Sequence, residues 1–273
     1  MTALLDAARA AAHEAWELLA GARPYDVRGK SNPRDLVTEW DLRAEQLIRR
    51  VLGKRSPGIA ILGEEGGETA GAEAPRGEGS RPAGRWLVDP IDGTVNFSHG
   101  LPIWSISIAY EDARGVQAGV VAAPALGWWF EAARGGGAVM RSHVDGAATA
   151  MRVSATATLD QALLTTGFPY DRATNPENNF AQWEHMQRVA GACRRLGCAS
   201  IDLCLVARGW MDGYWERRLS PWDVAAGTLI VAEAGGTVTN TQGGPFDPHS
   251  GEVAATNGAI HSGLLAELAR SRS

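Results

Sequence analysis

Residues 86–94 read Trp86-Leu87-Val88-Asp89-Pro90-Ile91-Asp92-Gly93-Thr94. Three large apolar residues predict a buried strand. It ends in two carboxylates three positions apart, with a proline fixing the backbone between them. Gly93 and Thr94 then turn the chain. Two acids at the end of a buried strand repel each other and pay for desolvation unless a cation sits between them. Amides that follow such a turn can face an anion, as at a helix N-terminus. Carboxylates for a hard cation beside amides for phosphate are the equipment of phosphoryl hydrolysis. Asp, Pro and Gly are also common turn residues, so a plain turn satisfies this stretch equally well.

Outward from this stretch, three further acids stand where an element begins or ends. Glu64, in Gly63-Glu64-Glu65-Gly66, follows the apolar run 59–62. Asp223, in Ser220-Pro221-Trp222-Asp223, opens the helical pattern of residues 223–234. Asp41 lies in Thr38-Glu39-Trp40-Asp41 at the start of an earlier helix. Taken singly, each has an ordinary explanation: a solvated loop acid, a helix N-cap, and a capping box.

The pattern along the chain is mixed. Leu4, Leu5, Ala8, Ala12, Ala15, Trp16 and Leu19 fall at helical spacing over residues 2–20, and Trp40, Leu47, Ile48, Val51 and Leu52 mark a second helix. Residues 66–85 are nearly free of large apolar side chains, which predicts a mobile surface loop between buried strands at 59–62 and 86–88. Between Ile103 and Val153 the signals are strand-like with Gly and Pro punctuation (SISIAY, GVVAAPAL, WWFEAA, GAVM, AMRVS). Strands at 162–167, 193–197, 211–216 and 253–256 then alternate with helices at 177–190, 201–208 and 223–234 and a terminal helix. The layout divides the chain into an α+β half, residues 1–153, with a large antiparallel sheet and most of the acids, and an α/β half, residues 154–273, carrying Asp223.

Composition narrows the classes. The chain has 273 residues, 45% hydrophobic and 21% charged, with net charge −5, enough for a large core. The mild acidity argues against a dedicated nucleic-acid binder, although Arg194-Arg195 and Arg217-Arg218 are local basic pairs. The first six residues, Met1 to Asp6, lack a basic signal-peptide start. The longest uncharged apolar stretch, 118–130, has 13 residues and contains Pro124, too short to span a bilayer. Cys193, Cys198 and Cys204 read as small buried residues rather than a disulfide framework. A soluble cytoplasmic protein is expected. His13, His99, His143, His185, His249 and His261 show no zinc-ligand spacing. Arg134-Gly135-Gly136-Gly137 lacks the Gly-Lys-Ser/Thr of a phosphate loop and is read as a turn. The ten tryptophans are read mainly as core, with Trp222 buttressing Asp223.

Three ordered motifs, GEE at 63–65, DPIDGTVNF at 89–97 and WDVAAG at 222–227, together resemble the inositol monophosphatase family of magnesium-dependent, lithium-sensitive phosphatases. The resemblance runs the whole chain and includes Lys30 and Asp35-Leu36-Val37-Thr38 upstream, with Gly235-Gly236 and Gly243-Gly244-Pro245-Phe246-Asp247 downstream. It implies a layered αβαβα sandwich, like that of the inositol monophosphatases and fructose-1,6-bisphosphatases, and a homodimer. It also implies two to three Mg²⁺ ions: Glu64, Asp89 and the Ile91 carbonyl on the first, Asp89, Asp92 and Asp223 on the second, and Glu64 again on a weaker third. Thr94 with Asp41 would activate water. Gly93 and Thr94 amides would hold the phosphate, and Glu216, Gly197 and Ala199 would line the sugar pocket.

The substrate implied is a small phosphate ester. Val95-Asn96-Phe97 after Thr94 resembles the inositol-phosphate type, leaving fructose bisphosphate, histidinol phosphate and adenosine bisphosphates as rivals on the same fold. A catalytically idle regulator that binds a protein or RNA is the reading from another class. The complete acid set, together with Asp41 and Thr94, argues against it.

Overall fold

The computed structural model describes residues 2–69, 84–142 and 146–271. Helix α1 spans Thr2–Leu19 and is followed by a hairpin of β1 (Val27–Gly29) and β2 (Leu36–Thr38). Helix α2 (Glu39–Arg55) leads into β3 (Ala60–Gly63), β4 (Gly67–Thr69) and β5 (Gly84–Asp92). A single-turn α3 (Thr94–Ser98) precedes β6 (Ser105–Asp112), β7 (Gly115–Ala123), β8 (Trp128–Ala133), β9 (Ala138–Ser142) and β10 (Ala148–Ala150). The remainder alternates: β11 (Leu163–Thr166), α4 (Phe180–Val189), β12 (Ala192–Arg194), α5 (Ala199–Ala207), β13 (Gly213–Arg217), α6 (Pro221–Glu233), β14 (Thr237–Thr239), β15 (Glu252–Thr256) and α7 (His261–Arg270).

Strands β3 to β10 form one eight-stranded sheet in the order β10-β9-β8-β7-β6-β5-β3-β4, and β11 to β15 form a five-stranded sheet in the order β12-β11-β13-β15-β14. Period-two patterning gives each sheet two apolar faces. Trp86, Val88, Ile106, Ile108 and Val120 face α1 and α2, whereas Leu87, Ala109, Val121 and Phe130 face α5 and α6. The same helix pair packs on the five-stranded sheet through Tyr214, Val253 and Ala255. The far side of that sheet, with Leu164 and Trp215, is covered by α4 and α7. Helix pair, sheet, helix pair, sheet, helix pair is the αβαβα sandwich expected. Helices α5 and α6, covered on both sides, accordingly lack a polar stripe: every residue of α5 is buried. A Cβ at Gly119 of β7 would lie 2.9 Å from Ala226 Cα of α6, so glycine sets that close approach.

Several local expectations are corrected. The first sheet is not wholly antiparallel, because β3 pairs with β5 in parallel. The predicted strand at Ala150–Ser154 is displaced: β10 ends at Ala150. The next residues leave the sheet, with the Met151 N–H bonded to Ala138 O at 2.8 Å and the Val153 N–H to Ala234 O at 3.2 Å. The expected loop at 66–85 is strand at both ends, over Gly67–Thr69 and from Gly84 onward. Its remaining residues, 70–83, lie outside the described residues, as does His143. Helix α4 begins three residues later than the composition suggests, at Phe180, because Asn179 takes φ 68°. Arg134–Gly137 is a turn whose Gly135 and Gly137 N–H groups donate to Glu233 at 2.8 and 2.9 Å.

Candidate active site

The carboxyl end of β5, the start of β4's hairpin and the start of α6 meet around one cavity of about 150 Å³, lined by Glu64, Asp89, Ile91, Asp92, Gly93, Thr94, Gly197, Ala199, Glu216 and Asp223, among others. Of the site residues expected from the sequence, Asp41 alone is absent from the lining, and it stands directly behind Thr94. The parallel pairing of β3 with β5 makes this convergence possible: Gly63 pairs with Val88, so Glu64 and Asp89 leave adjacent strands side by side.

The carboxylates share one design. Asp92, Asp89 and Asp223 each direct one oxygen at donors of the protein, and Asp89 also stands within hydrogen-bonding reach of the Glu64 side chain. Asp92 Oδ2 accepts from Ser200 N at 2.7 Å, Ser200 Oγ at 2.6 Å and Cys198 Sγ at 3.2 Å. Asp89 Oδ1 accepts from Ile91 N at 2.9 Å, and Asp223 Oδ2 from Ser220 N at 2.8 Å. Burial first, and then the charges of Glu64 and Asp92, pushes Asp89 and Asp223 well above the usual carboxylate range. Burial also raises Asp92, against the hydrogen bonds from Ser200 and Cys198. Glu64 is differently placed: Lys30 Nζ donates to its Oε1 at 2.8 Å and to Glu65 Oε1 at 2.5 Å. Burial works against the Lys30 charge, but Glu64 and Glu65 outweigh it and hold its pKa above that of an ordinary lysine.

Among the described residues, no group of three or more His, Cys, Asp or Glu side chains is drawn together tightly enough to hold an ion as it stands. The donor chemistry nevertheless fits a hard divalent cation. The oxygens belong to mutually repelling carboxylates, and no histidine lines the cavity. The nearest thiol, Cys198, is spent on Asp92.

Asp41 serves two purposes. It closes the capping box of α2, its Oδ2 accepting from Thr38 N at 2.8 Å and Thr38 Oγ1 at 2.5 Å. Its Oδ1 accepts from Thr94 Oγ1 at 3.1 Å. Burial raises its pKa to about 6, although the Thr38 hydrogen bonds work in the opposite direction. Gly93, with φ 90°, has no room for a side chain: a Cβ would lie 3.0 Å from Ile103 O and 3.2 Å from Gly197 O. This left-handed turn is where the strand gives way to α3.

On the opposite wall, Glu216 extends from β13 and accepts from Tyr214 Oη at 2.6 Å. Burial raises its pKa to about 7. A Cβ at Gly167 would fall 2.0 Å from Glu216 Oε2, so this glycine clears the space the carboxylate occupies. Trp222 lines the cavity beside Asp223, and its carbonyl accepts from Ser107 Oγ at 2.9 Å. The sequence reading did not assign roles to Ser200, Cys198 or Lys30, the partners of the acids, or to Tyr170 and Arg195 on the rim. A serine two residues after Cys198 carries no local signal, because its partner is more than a hundred positions away. Three of the histidines are engaged elsewhere: His185 with Glu267, His249 with Glu111, and His261 with Thr256.

These features define a layered αβαβα protein with a carboxylate-lined cavity where its two sheets and the middle helices meet. Residues 1–273 match the inositol monophosphatase family, and the chain belongs to that family. It is 39% identical to an inositol-1-monophosphatase of Synechocystis over 92% of this chain and 85% of that protein. It is 37% identical to the Nus factor SuhB of Pseudomonas aeruginosa over 98% and 96% of the two chains. The solved inositol monophosphatase of Anabaena (Nostoc) superposes with a TM-score of 0.85 at 35% identity, covering 98% of this chain and 95% of that one.

Proposed function

We propose that the protein is a Mg²⁺-dependent phosphomonoesterase acting on inositol monophosphates. The observation that carries this reading is the cavity on which Glu64, Asp89, Asp92 and Asp223 converge beside the Thr94–Asp41 hydrogen bond. In this reading Glu64, Asp89 and the Ile91 carbonyl hold one Mg²⁺, and Asp89, Asp92 and Asp223 hold a second, with Glu64 serving a weaker third. Bound Mg²⁺ supplies Lewis acidity toward water and phosphate and neutralises the charge of the leaving oxygen.

The chain's own residues do the rest. Asp41 accepts a proton through Thr94 Oγ1, which orients the attacking water in line with the leaving oxygen. No side chain becomes phosphorylated. The backbone at Gly93 and Thr94 holds the phosphate, and Glu216, Gly197 and Ala199 contact the polyol, with the Tyr214 hydroxyl fixing the Glu216 rotamer. The names of the relatives support inositol monophosphate as substrate. The family resemblance supports a homodimer, the composition a cytoplasmic location, and the order of strands and helices the halves at 1–153 and 154–273. No helix among the described residues is long and apolar enough to cross a membrane.

The test is phosphate release from myo-inositol 1-phosphate, fructose 1,6-bisphosphate, histidinol phosphate and adenosine 3′,5′-bisphosphate, each with Mg²⁺, with EDTA and with Mg²⁺ plus lithium. Release led by inositol 1-phosphate, abolished by EDTA and depressed by lithium, is the expected result. Release that persists in EDTA refutes the metal assignment, and a different leading substrate refutes the inositol assignment.

A further inference from the structure

Helix α2 serves the site at a second point. Asp41 and Glu45 are four positions apart, so they share one face of the helix, and both are buried. Asp41 meets Thr94, whereas Glu45 reaches the turn between β3 and β4 on which Glu64 stands. Both carboxylate oxygens of Glu45 are engaged. Its Oε2 accepts from Glu65 N at 2.7 Å, and its Oε1 accepts from Gly66 N at 2.8 Å and Arg49 Nε at 2.7 Å. Glu64 N donates to Val88 O of β5 at 3.2 Å. The amides of residues 64–66 are therefore held from two sides, by β5 and by α2.

Arg49, one turn further along α2, extends the hold across the hairpin. Its Nη1 donates to Thr69 Oγ1 at 2.9 Å and its Nη2 to the carbonyl of Gly67. Glycines leave room for this pair. A Cβ at Gly63 would lie 2.7 Å from Glu45 Oε2, and one at Gly66 would lie 2.8 Å from Glu45 Oε1. An ion pair at this helical spacing forms equally well on an exposed face, where neither charge loses its water. Burial of Glu45 against the turn thus serves the turn rather than the helix. The Glu64 carboxylate itself is met by Lys30, a long rotatable side chain that does not fix where the Glu64 backbone sits.

We propose that Glu45 is a positioning residue for the metal site: with Arg49 as counter-charge, it fixes the backbone of residues 64–66 so that the Glu64 carboxylate is held beside Asp89. This rests on the phosphatase reading above, in which Glu64 and Asp89 share the first Mg²⁺. Glu45→Gln keeps the size of the side chain but replaces one acceptor oxygen with an N–H donor, which must face either a turn amide or the Arg49 guanidinium. One of the two holds is then lost.

The experiment is calorimetric titration with Mg²⁺ of the wild type, Glu45→Gln, Glu64→Gln and the double variant, with kcat at saturating Mg²⁺ measured alongside. Glu45→Gln should weaken the tightest Mg²⁺ step about 10–100-fold, as loss of an outer partner of a ligand does, while most of kcat returns at saturating Mg²⁺. Because Glu45 acts through Glu64, its substitution should cost about twofold or less once Glu64 is already Gln. Gly66→Ala is a second variant: its methyl displaces Glu45 Oε1 from an exposed position, and it should weaken Mg²⁺ binding in the same direction even where Glu45→Gln does not fold.

Circular dichroism melts accompany each variant. A lowered Tm with unchanged Mg²⁺ affinity in the folded variants, while Glu64→Gln is impaired, overturns the positioning role and leaves the phosphatase reading standing. An equal loss with Glu64 present or replaced overturns it too, because Glu45 then acts by another route. Unchanged Mg²⁺ affinity in Glu64→Gln overturns the metal assignment of Glu64, and the positioning role falls with it.

Discussion

Thr94 Oγ1 donates to Asp41 Oδ1 at 3.1 Å across 53 positions of sequence, and the same hydroxyl stands 3.0 Å from the carbonyl of Ile91. One side chain thus joins the capped end of α2 to the end of β5, and the proton route of the proposed reaction runs through that junction.

Thr94→Ala and Asp41→Asn should each lower kcat by about 10²–10⁴-fold, the usual contribution of a positioned base, with little change in KM. Asp41 acts as a base only when ionised, so the rate should fall as pH drops through its pKa of about 6. Bound cations move that limb lower, because they favour the carboxylate. A pH–rate profile checks this: the acid limb assigned to Asp41 should be missing from the residual activity of Asp41→Asn.

Without metal, the cavity acids make the fold sensitive to pH in a defined direction. Asp41, Asp89, Asp92 and Asp223 all have folded pKa values raised above the unfolded value of about 3.9. The stability they contribute is fully present below that value and is lost as pH rises through the folded values, about 6 for Asp41. In EDTA, these groups should therefore lower Tm between pH 4 and pH 7. Added Mg²⁺ should raise Tm more at pH 8 than at pH 5, where protons compete for the same oxygens. Melting curves across that pH range, with and without Mg²⁺, measure both effects.

Asp92→Asn separates electrostatic cost from function. It removes a buried negative charge, so the metal-free Tm should rise by about 2–4 °C, equivalent to ~1 kcal/mol in a chain of this size. Turnover with Mg²⁺ should collapse, and the Mg²⁺-induced rise in Tm should shrink. A metal-free Tm below wild type would mean that Ser200 and Cys198 already offset the charge.

Ser200→Ala takes two hydrogen-bonding atoms into account: its Oγ donor to Asp92 Oδ2 is lost, while the backbone donor remains. Loss of one outer partner of a ligand should weaken Mg²⁺ affinity about 10–100-fold, read as a shift in the Mg²⁺ concentration for half-maximal rate. Maximal turnover at saturating Mg²⁺ should change much less.

Gly119→Ala tests the packing of the middle layer. The added methyl would meet Ala226 Cα at 2.9 Å, where backbone rather than a flexible tip must move. Destabilisation of about 1–3 kcal/mol is expected, measured by urea unfolding in EDTA.

The stretch 86–94 was legible because a buried strand that ends in Asp-Pro-Ile-Asp-Gly-Thr leaves little doubt that the chain turns beside paired acids. The order of helices and strands followed from apolar period, and the layered fold from the family resemblance. Partners were not legible. The apolar run 59–62 predicts a strand, but not that it lies parallel to β5, and that pairing puts Glu64 beside Asp89. Lys30 and Ser200 give no local sign that they meet Glu64 and Asp92. The strand β14 has only Thr237–Thr239 to announce it, too short a run for alternation to register. Asp41 and Asp223 each close a capping box as the third residue of their helices, behind the N-caps Thr38 and Ser220, so Asp223 is not itself the N-cap the sequence suggested. Their second duty is visible only once the cavity is assembled.

Helices α5 and α6 touch both sheets, and Asp223 begins α6 while Ser200 lies in the first turn of α5. The acids from the first sheet therefore acquire their fourth member, and Asp92 its hydrogen-bond donors, only when the middle helices dock. The full electrostatic self-repulsion of the four acids thus arrives with that docking. A divalent ion that relieves it acts on that stage: Mg²⁺ should slow unfolding of the docked chain far more than it speeds early collapse.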